Sequence, residues 1–180
     1  GVVDDNDRDI IGNPNPDFTY GFQTKVSWKS LSLSASFNGV QGRDILNVGN
    51  RYNNTPGTKS NNVTRKAFQN MWTDENPSNL YPKSTFVVQN MVMDRYVEDG
   101  SYLRCSDITL SYVLPAKWTN KIGIKNTSVY ASVKNAFVIT DYSGYDPEVN
   151  SFAFDGLRPG VDMNSYPTPR SFVFGLNLTF

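Results

Sequence analysis

Five stretches of the chain alternate apolar and polar positions, and the alternation is cleanest at 170–180. There Phe172, Phe174, Leu176, Leu178 and Phe180 share one parity, while Ser171, Val173, Gly175, Asn177 and Thr179 share the other. A period of two specifies a strand with one apolar face and one small or polar face. Its length matches a tilted strand crossing a bilayer, about 9–11 residues; sandwich strands with the same period usually run about five or six. In 17–28, Phe18, Tyr20, Phe22, Val26 and Trp28 form the apolar parity; in 30–41, Leu31, Leu33, Ala35 and Phe37 stand opposite Ser32, Ser34, Ser36 and Asn38. In 102–114 the apolar set is Ile108, Leu110, Tyr112 and Leu114. Leu103 and Cys105 fall out of phase with it, which predicts a bulge near Ser106-Asp107. In 125–139, Val129, Ala131, Val133, Phe137 and Ile139 alternate with hydroxyls and Lys134, and Asn135 lands on the apolar parity as a second phase change.

The connections sort by length. Short turns at 29–30 and 115–124 lie on one side of the meander, and long loops at 1–16, 42–101 and 140–169 lie on the other. Within the long loops, 64–72 reads as a short helix and 84–93 as a loop strand. A sandwich with one wetted face fits the periodicity as well as a barrel with a hydrated lumen does. The one-sided sorting favours the barrel, because outer-membrane barrels have short turns on one side and long loops on the other. Five strands are too few to close, since about eight is the practical minimum. The expected fold class is therefore all-β: about five antiparallel strands and long outer loops belonging to a larger transmembrane barrel.

Composition narrows the chemistry. Among 180 residues the formal net charge is zero, so no basic footprint points to nucleic acid. Histidine is absent and Cys105 is the single cysteine, which removes the commonest general base, His-based metal sites and an internal disulfide. No apolar run reaches the length of a transmembrane helix, and the N-terminal residues lack the pattern of a secretory signal, so either the protein is cytosolic or its signal lies on a preceding part of the chain. Asp146-Pro147-Glu148 sets two carboxylates near each other, as a glycosidase needs, but the intervening proline reads as a loop turn. The expectation is that the protein is not an enzyme. Gly1-Val-Val-Asp4-Asp5-Asn6-Asp7 matches the second half of an Asp-x-Asn-x-Asp-Gly calcium loop, with Asp4 and Asp7 in ligand positions; the same residues read more simply as a solvated acidic turn. A competing reading of the whole chain is a soluble β-sandwich carbohydrate-binding module or glycosidase domain, which would stay folded without detergent.

Several phrases, in order, resemble the C-terminal third of the barrel of SusC/RagA-type TonB-dependent outer-membrane transporters of the Bacteroidetes. They include Gly12-Asn-Pro-Asn-Pro-Asp-Phe-Thr-Tyr-Gly-Phe22, Met71-Trp72 with the following Asn76-Pro77-Ser78, Val97-Glu-Asp-Gly-Ser-Tyr-Leu-Arg104 and Ile108-Thr-Leu-Ser-Tyr-Val-Leu-Pro115. Asn135-Ala-Phe137, Tyr142-Ser-Gly-Tyr-Asp-Pro-Glu148, Tyr166-Pro-Thr-Pro-Arg170 and Phe180 complete the set. The resemblance implies a 22-stranded barrel around a plug, with plug and signal peptide outside this chain. It further implies a SusD-like surface lipoprotein as partner, energy from the TonB complex, and import of oligosaccharides or, in some members, peptides. On that reading Trp72, Tyr81, Tyr142 and Tyr145 are outer-loop aromatics that contact ligand or partner, or pack loop against loop. Phe172, Phe174 and Phe180 carry the signal read by the barrel-assembly machinery by strand addition, and the apolar parities face outer-membrane lipid.

Overall fold

The computed structural model describes residues 5–55, 62–84, 92–119, 123–124 and 126–179. Phe180, Asp4 and most of the strand expected at 84–93 lie outside them. Among the described residues the strands in chain order are β1 (Phe18–Trp28), β2 (Leu31–Gln41), β3 (Asp44–Asn47), β4 (Val97–Asp99), β5 (Tyr102–Val113), β6 (Asn126–Thr140), β7 (Val161–Asp162) and β8 (Ser171–Thr179). Helices α1 (Val48–Asn54), α2 (Arg65–Asn70) and α3 (Ala116–Thr119) are short. The chain divides into two compact units, a wall unit (17–42, 101–141, 167–180) and a loop unit (1–16, 43–100, 142–166).

The wall unit is one antiparallel sheet of order β1-β2-β5-β6-β8. Its side-chain rows follow from register. Val26, Leu33, Leu110, Ala131 and Phe174 lie side by side across all five strands, as do Trp28, Leu31, Tyr112, Val129 and Leu176. These rows keep the apolar parities on one face, and that face is largely uncovered: Phe22 is 53% exposed, Trp28 68% and Phe174 78%. Such a patch in water would drive association; against lipid it is the expected outer surface of a barrel. The sheet does not close, and β1 and β8 each keep one unpaired edge.

Both phase changes appear as register shifts. Between β2 and β5 the pairing slips at Ser106, so Phe37 meets Cys105 while Ser36 meets Asp107. Between β5 and β6 it slips again, with Cys105 opposite Phe137 and Asp107 opposite Lys134. Asn135 takes φ of +50° there, a left-handed conformation that asparagine tolerates better than most residues. The two shifts return Leu103 and Cys105 to the apolar face, where Cys105 is fully buried between the cross-strand neighbours Phe37 and Phe137. The opposite face carries Ser32, Ser34, Asp107, Thr109, Ser111, Ser132 and Lys134. Asp107 accepts from Ser132 Oγ at 2.7 Å and Thr109 Oγ1 at 2.8 Å and pairs with Lys134 Nζ at 2.6 Å.

The loop unit is more ordered than its irregular sequence suggests. Its stretches 43–100 and 142–166 contain a three-stranded sheet of order β4-β3-β7, in which β3 pairs antiparallel with β4 and parallel with β7. Helix α2 falls inside the helical stretch expected at 64–72; α1 was not expected. Strands of two to four residues are too short to show a period. They exist because distant segments meet, with Ile45 of β3 wholly buried at their centre.

Candidate functional site

Caps set the two helices of the loop unit. Asn47 ends β3 and its Oδ1 accepts the Asn50 N–H at 2.8 Å, opening α1; Thr64 Oγ1 accepts the Ala67 N–H at 3.2 Å, opening α2. Thr64 also donates its hydroxyl to Asn54 Oδ1 at 2.5 Å, and its N–H bonds the Asn53 carbonyl at 2.9 Å, which fastens α2 to the end of α1. Asn47, Asn50 and Asn54 follow helical spacing and share one side of α1. Asn54 Nδ2 donates on to Asn50 Oδ1.

Glu98 on β4 is the hub beside them. Its Oε1 accepts from Asn47 Nδ2 at 3.0 Å, Asn50 Nδ2 at 2.8 Å and Ser143 Oγ at 2.9 Å, and its Oε2 from the Ser143 N–H at 2.9 Å. One carboxylate thus ties α1, β4 and the segment after Thr140 together.

These groups wall a cleft of about 530 Å³. Asn carboxamides, Glu98 and Ser143 form one part of its lining, and Lys66, Tyr81, Arg95 and Tyr145 another. An adjoining cleft of about 320 Å³ shares Asn50, Asn54, Lys66, Tyr81 and Arg95 and adds Asn79, Leu80 and Tyr96. Of the four aromatics expected at a contact surface, the structure brings Tyr81 and Tyr145 to this cleft, with Tyr145 73% exposed. Trp72 lies outside its lining; its N–H bonds the Tyr81 carbonyl at 3.0 Å, and the Lys83 ammonium sits 5.0 Å from its ring centre.

Tyr142 is placed otherwise than Tyr81 and Tyr145. It is buried, and its hydroxyl donates to Asp162 Oδ2 at 2.7 Å, so its ring is packed inside the loop unit and presents no face. Burial first, then the Asp162 carboxylate, pushes its phenol above the ordinary tyrosine range and keeps it a neutral donor. Asp7 is exposed in a 3₁₀ turn, and no group of three or more metal-ligating side chains occurs among the described residues. Phe172 and Phe174 stand exposed on the apolar face of β8.

No family model matches the chain. Individual proteins do. The TonB-dependent receptor P3 of Formosa agariphila is 35% identical over 185 residues, and the TonB-dependent receptor SusC of Bacteroides thetaiotaomicron 33% over 187; each match takes in the whole of this chain, and 18% and 17% of those proteins respectively. The chain matches the C-terminal part of SusC/RagA-type TonB-dependent receptors along its whole length. It spans less than a fifth of the length of these relatives. Among solved structures, the RagAB peptide transporter superposes with a TM-score of 0.80 at 29% identity, and the RagAB peptide importer in its open-open state with 0.77. Both comparisons cover 95% of this chain and 18% of the other. The region matched is the C-terminal portion of the receptor barrel, and the soluble sandwich reading is set aside. Receptors of this family are outer-membrane β-barrels and not enzymes, which accounts for the uncovered apolar face of the wall.

Sequence reasoning passed over Asn47, Asn50, Lys66, Arg95 and Glu98. The spacing of asparagines at 47, 50 and 54 was the available signal, masked by the reading of 42–101 as irregular loop.

Proposed function

We propose that this receptor segment serves an importer of large nutrients, oligosaccharides first. In this reading its wall contributes lipid-facing strands and a hydrated lumen, and its loop unit works on the outer side with a SusD-like lipoprotein. TonB supplies the energy through parts of the receptor outside this chain, and β8 with Phe172, Phe174 and Phe180 engages the barrel-assembly machinery. The carrying observation is the 33% identity to SusC along the whole chain. A hydroxyl-rich face at 32–36 and 109–111 gives a polar solute a wall with which it can exchange hydrogen bonds. Peptide import is the second reading, favoured by the likeness to the RagAB peptide importer. Calcium at Asp4 and Asp7 stays a minor proposal for the N-terminal turn.

The test is uptake by intact cells. Deleting the receptor gene, or blocking TonB, is expected to abolish uptake of one class of labelled oligosaccharide, and the tagged receptor is expected to co-purify with a surface lipoprotein. Uptake of every tested oligosaccharide unchanged in the deletion strain, with peptide uptake lost, would transfer the assignment to peptides. Uptake of both unchanged would end the import reading.

A further inference from the structure

We infer that the cleft of the loop unit is a subsite for an acidic sugar residue, with Lys66 and Arg95 holding the sugar's anionic group. The inference rests on the import reading and narrows it to a substrate class.

Charge gives the first reason. The lining of the two adjoining clefts contains two cations, Lys66 and Arg95, and one carboxylate, Glu98. Glu98 is already occupied by four donors from Asn47, Asn50 and Ser143, none of them charged. No acidic side chain pairs with Lys66 or Arg95 among the described residues. Arg95 spends one guanidinium nitrogen on the Leu80 carbonyl, which fixes its plane and leaves other N–H donors of the fork for a ligand. The lining therefore carries an excess positive charge among neutral polar groups, a field that favours an anion.

Shape and polarity decide what carries the anion. Asn53 and Asn79 offer carboxamides that donate and accept at once, as a ring of hydroxyls requires, and Tyr145 offers an exposed aromatic face for the C–H side of a sugar. Among the described residues Leu80 is the one aliphatic side chain in the linings. A site for peptides would present apolar pockets for alternate side chains, and among the described residues the linings form none. An oligosaccharide bearing uronate carboxylates or sulfate esters fits all three features.

The experiment uses the intact receptor with its lipoprotein, purified in detergent, and calorimetric titration. The probes are oligogalacturonate, its neutral methyl ester, a sulfated galactan oligosaccharide, its desulfated form, and oligoglutamate. The expected result is roughly tenfold or tighter binding of at least one acidic sugar over its neutral counterpart. That preference should weaken with salt, and it should vanish in Lys66→Gln/Arg95→Gln. Lys117→Gln, on α3 of the wall unit, serves as the charge control and is expected to leave the preference intact. Equal binding of acidic and neutral sugars, a preference that survives the double variant, or selective binding of oligoglutamate would each overturn the inference. The import reading stands or falls separately, on TonB-dependent uptake in the deletion strain.

Discussion

The wall and the loop unit solve the same problem, satisfying backbone polar groups, in opposite ways. In the wall, ladders of nine to fifteen residues pair the interior strands on both sides, and the side chains need little from one another. Large residues such as Phe22, Trp28 and Phe174 are left out in the open. The loop unit has strands of two to four residues, and side chains complete the pairing: Asn47, Thr64, Glu98 and Asp162 each bind main-chain N–H groups. A wall built this way takes its stability from hydrogen-bond ladders; the loop unit takes its stability from a few buried polar groups. Damage should therefore read out differently in the two.

The largest contrast is a charge on the apolar parity. Phe22 lies midway along β1 and stacks on Phe37 with ring centres 4.5 Å apart. Phe22→Arg puts a guanidinium against lipid near mid-strand and is expected to cost about 2–4 kcal/mol. The readout is loss of the heat-modifiable receptor band in outer membranes. Phe154→Arg in the loop unit, at a side chain 87% exposed, is expected to leave the band unchanged. Equal effects at the two sites would mean that the apolar face of the wall is not lipid-facing.

The reverse contrast lies at Tyr142. Tyr142→Phe leaves the Asp162 carboxylate, 2% exposed, without its phenol donor and is expected to cost about 1–3 kcal/mol locally. Hydrogen exchange should rise around 142–166 while the amides of β5 and β6 keep their protection. The sign of the pH effect follows from the raised phenol. The neutral form belongs to the folded unit, so its contribution is whole at neutral pH and is lost as pH climbs above the ordinary phenol value of 10.0. Tyr142→Phe should flatten that alkaline loosening, and an unchanged alkaline profile would remove Tyr142 as its source.

How much of each unit was legible in the sequence follows from the same contrast. The wall was read from parity alone, because a ladder of ten residues repeats its message five times over, and even the bulge at Ser106 announced itself when Leu103 and Cys105 slipped phase. What parity could not supply was the compensation at Asn135, where one left-handed residue restores the register. The loop unit was nearly illegible. Its strands β3, β4 and β7 are fixed by partners 50 or more residues away in the chain, as Leu46 is by Val97 and Val161. Tyr142 and Tyr145 look alike as loop aromatics, yet one is buried on Asp162 and the other is open at the cleft. Glu98 read as an ordinary charged residue until its four donors were in place.

A smaller effect sharpens the account of the wall. Tyr130 of β6 lies directly across from Gly175 of β8, and a Cβ on Gly175 would come within 2.2 Å of the Tyr130 ring. The ring occupies the space a side chain would fill, as it does for Tyr20 over Gly39, where the Tyr20 hydroxyl also donates to the Tyr102 carbonyl at 3.3 Å. Glycine in a strand ordinarily costs roughly 0.5–1 kcal/mol relative to alanine. Gly175→Ala should nevertheless destabilise the native barrel by about 1 kcal/mol and should stabilise it once Tyr130 is alanine. Urea unfolding of the receptor in lipid vesicles measures both arms, and the same sign in both backgrounds would show that ring and glycine act independently.

The smallest effect belongs to the ion pair of Lys134 with Asp107 in the wall. Lys134 Nζ lies 2.6 Å from Asp107 Oδ2, but the lysine side chain is 52% exposed and faces the hydrated side. Holding a long, solvated chain in place costs entropy, and water screens what is gained. Asp107 would also keep its bonds from Ser132 and Thr109 after the lysine is lost. Lys134→Gln should therefore shift unfolding by less than about 1 kcal/mol, and less still in high salt. A loss nearer 3 kcal/mol would make the pair a clamp on the double bulge. The wall would then depend, like the loop unit, on particular polar side chains, and the division between ladder-built and side-chain-built regions would have to be redrawn at Asp107.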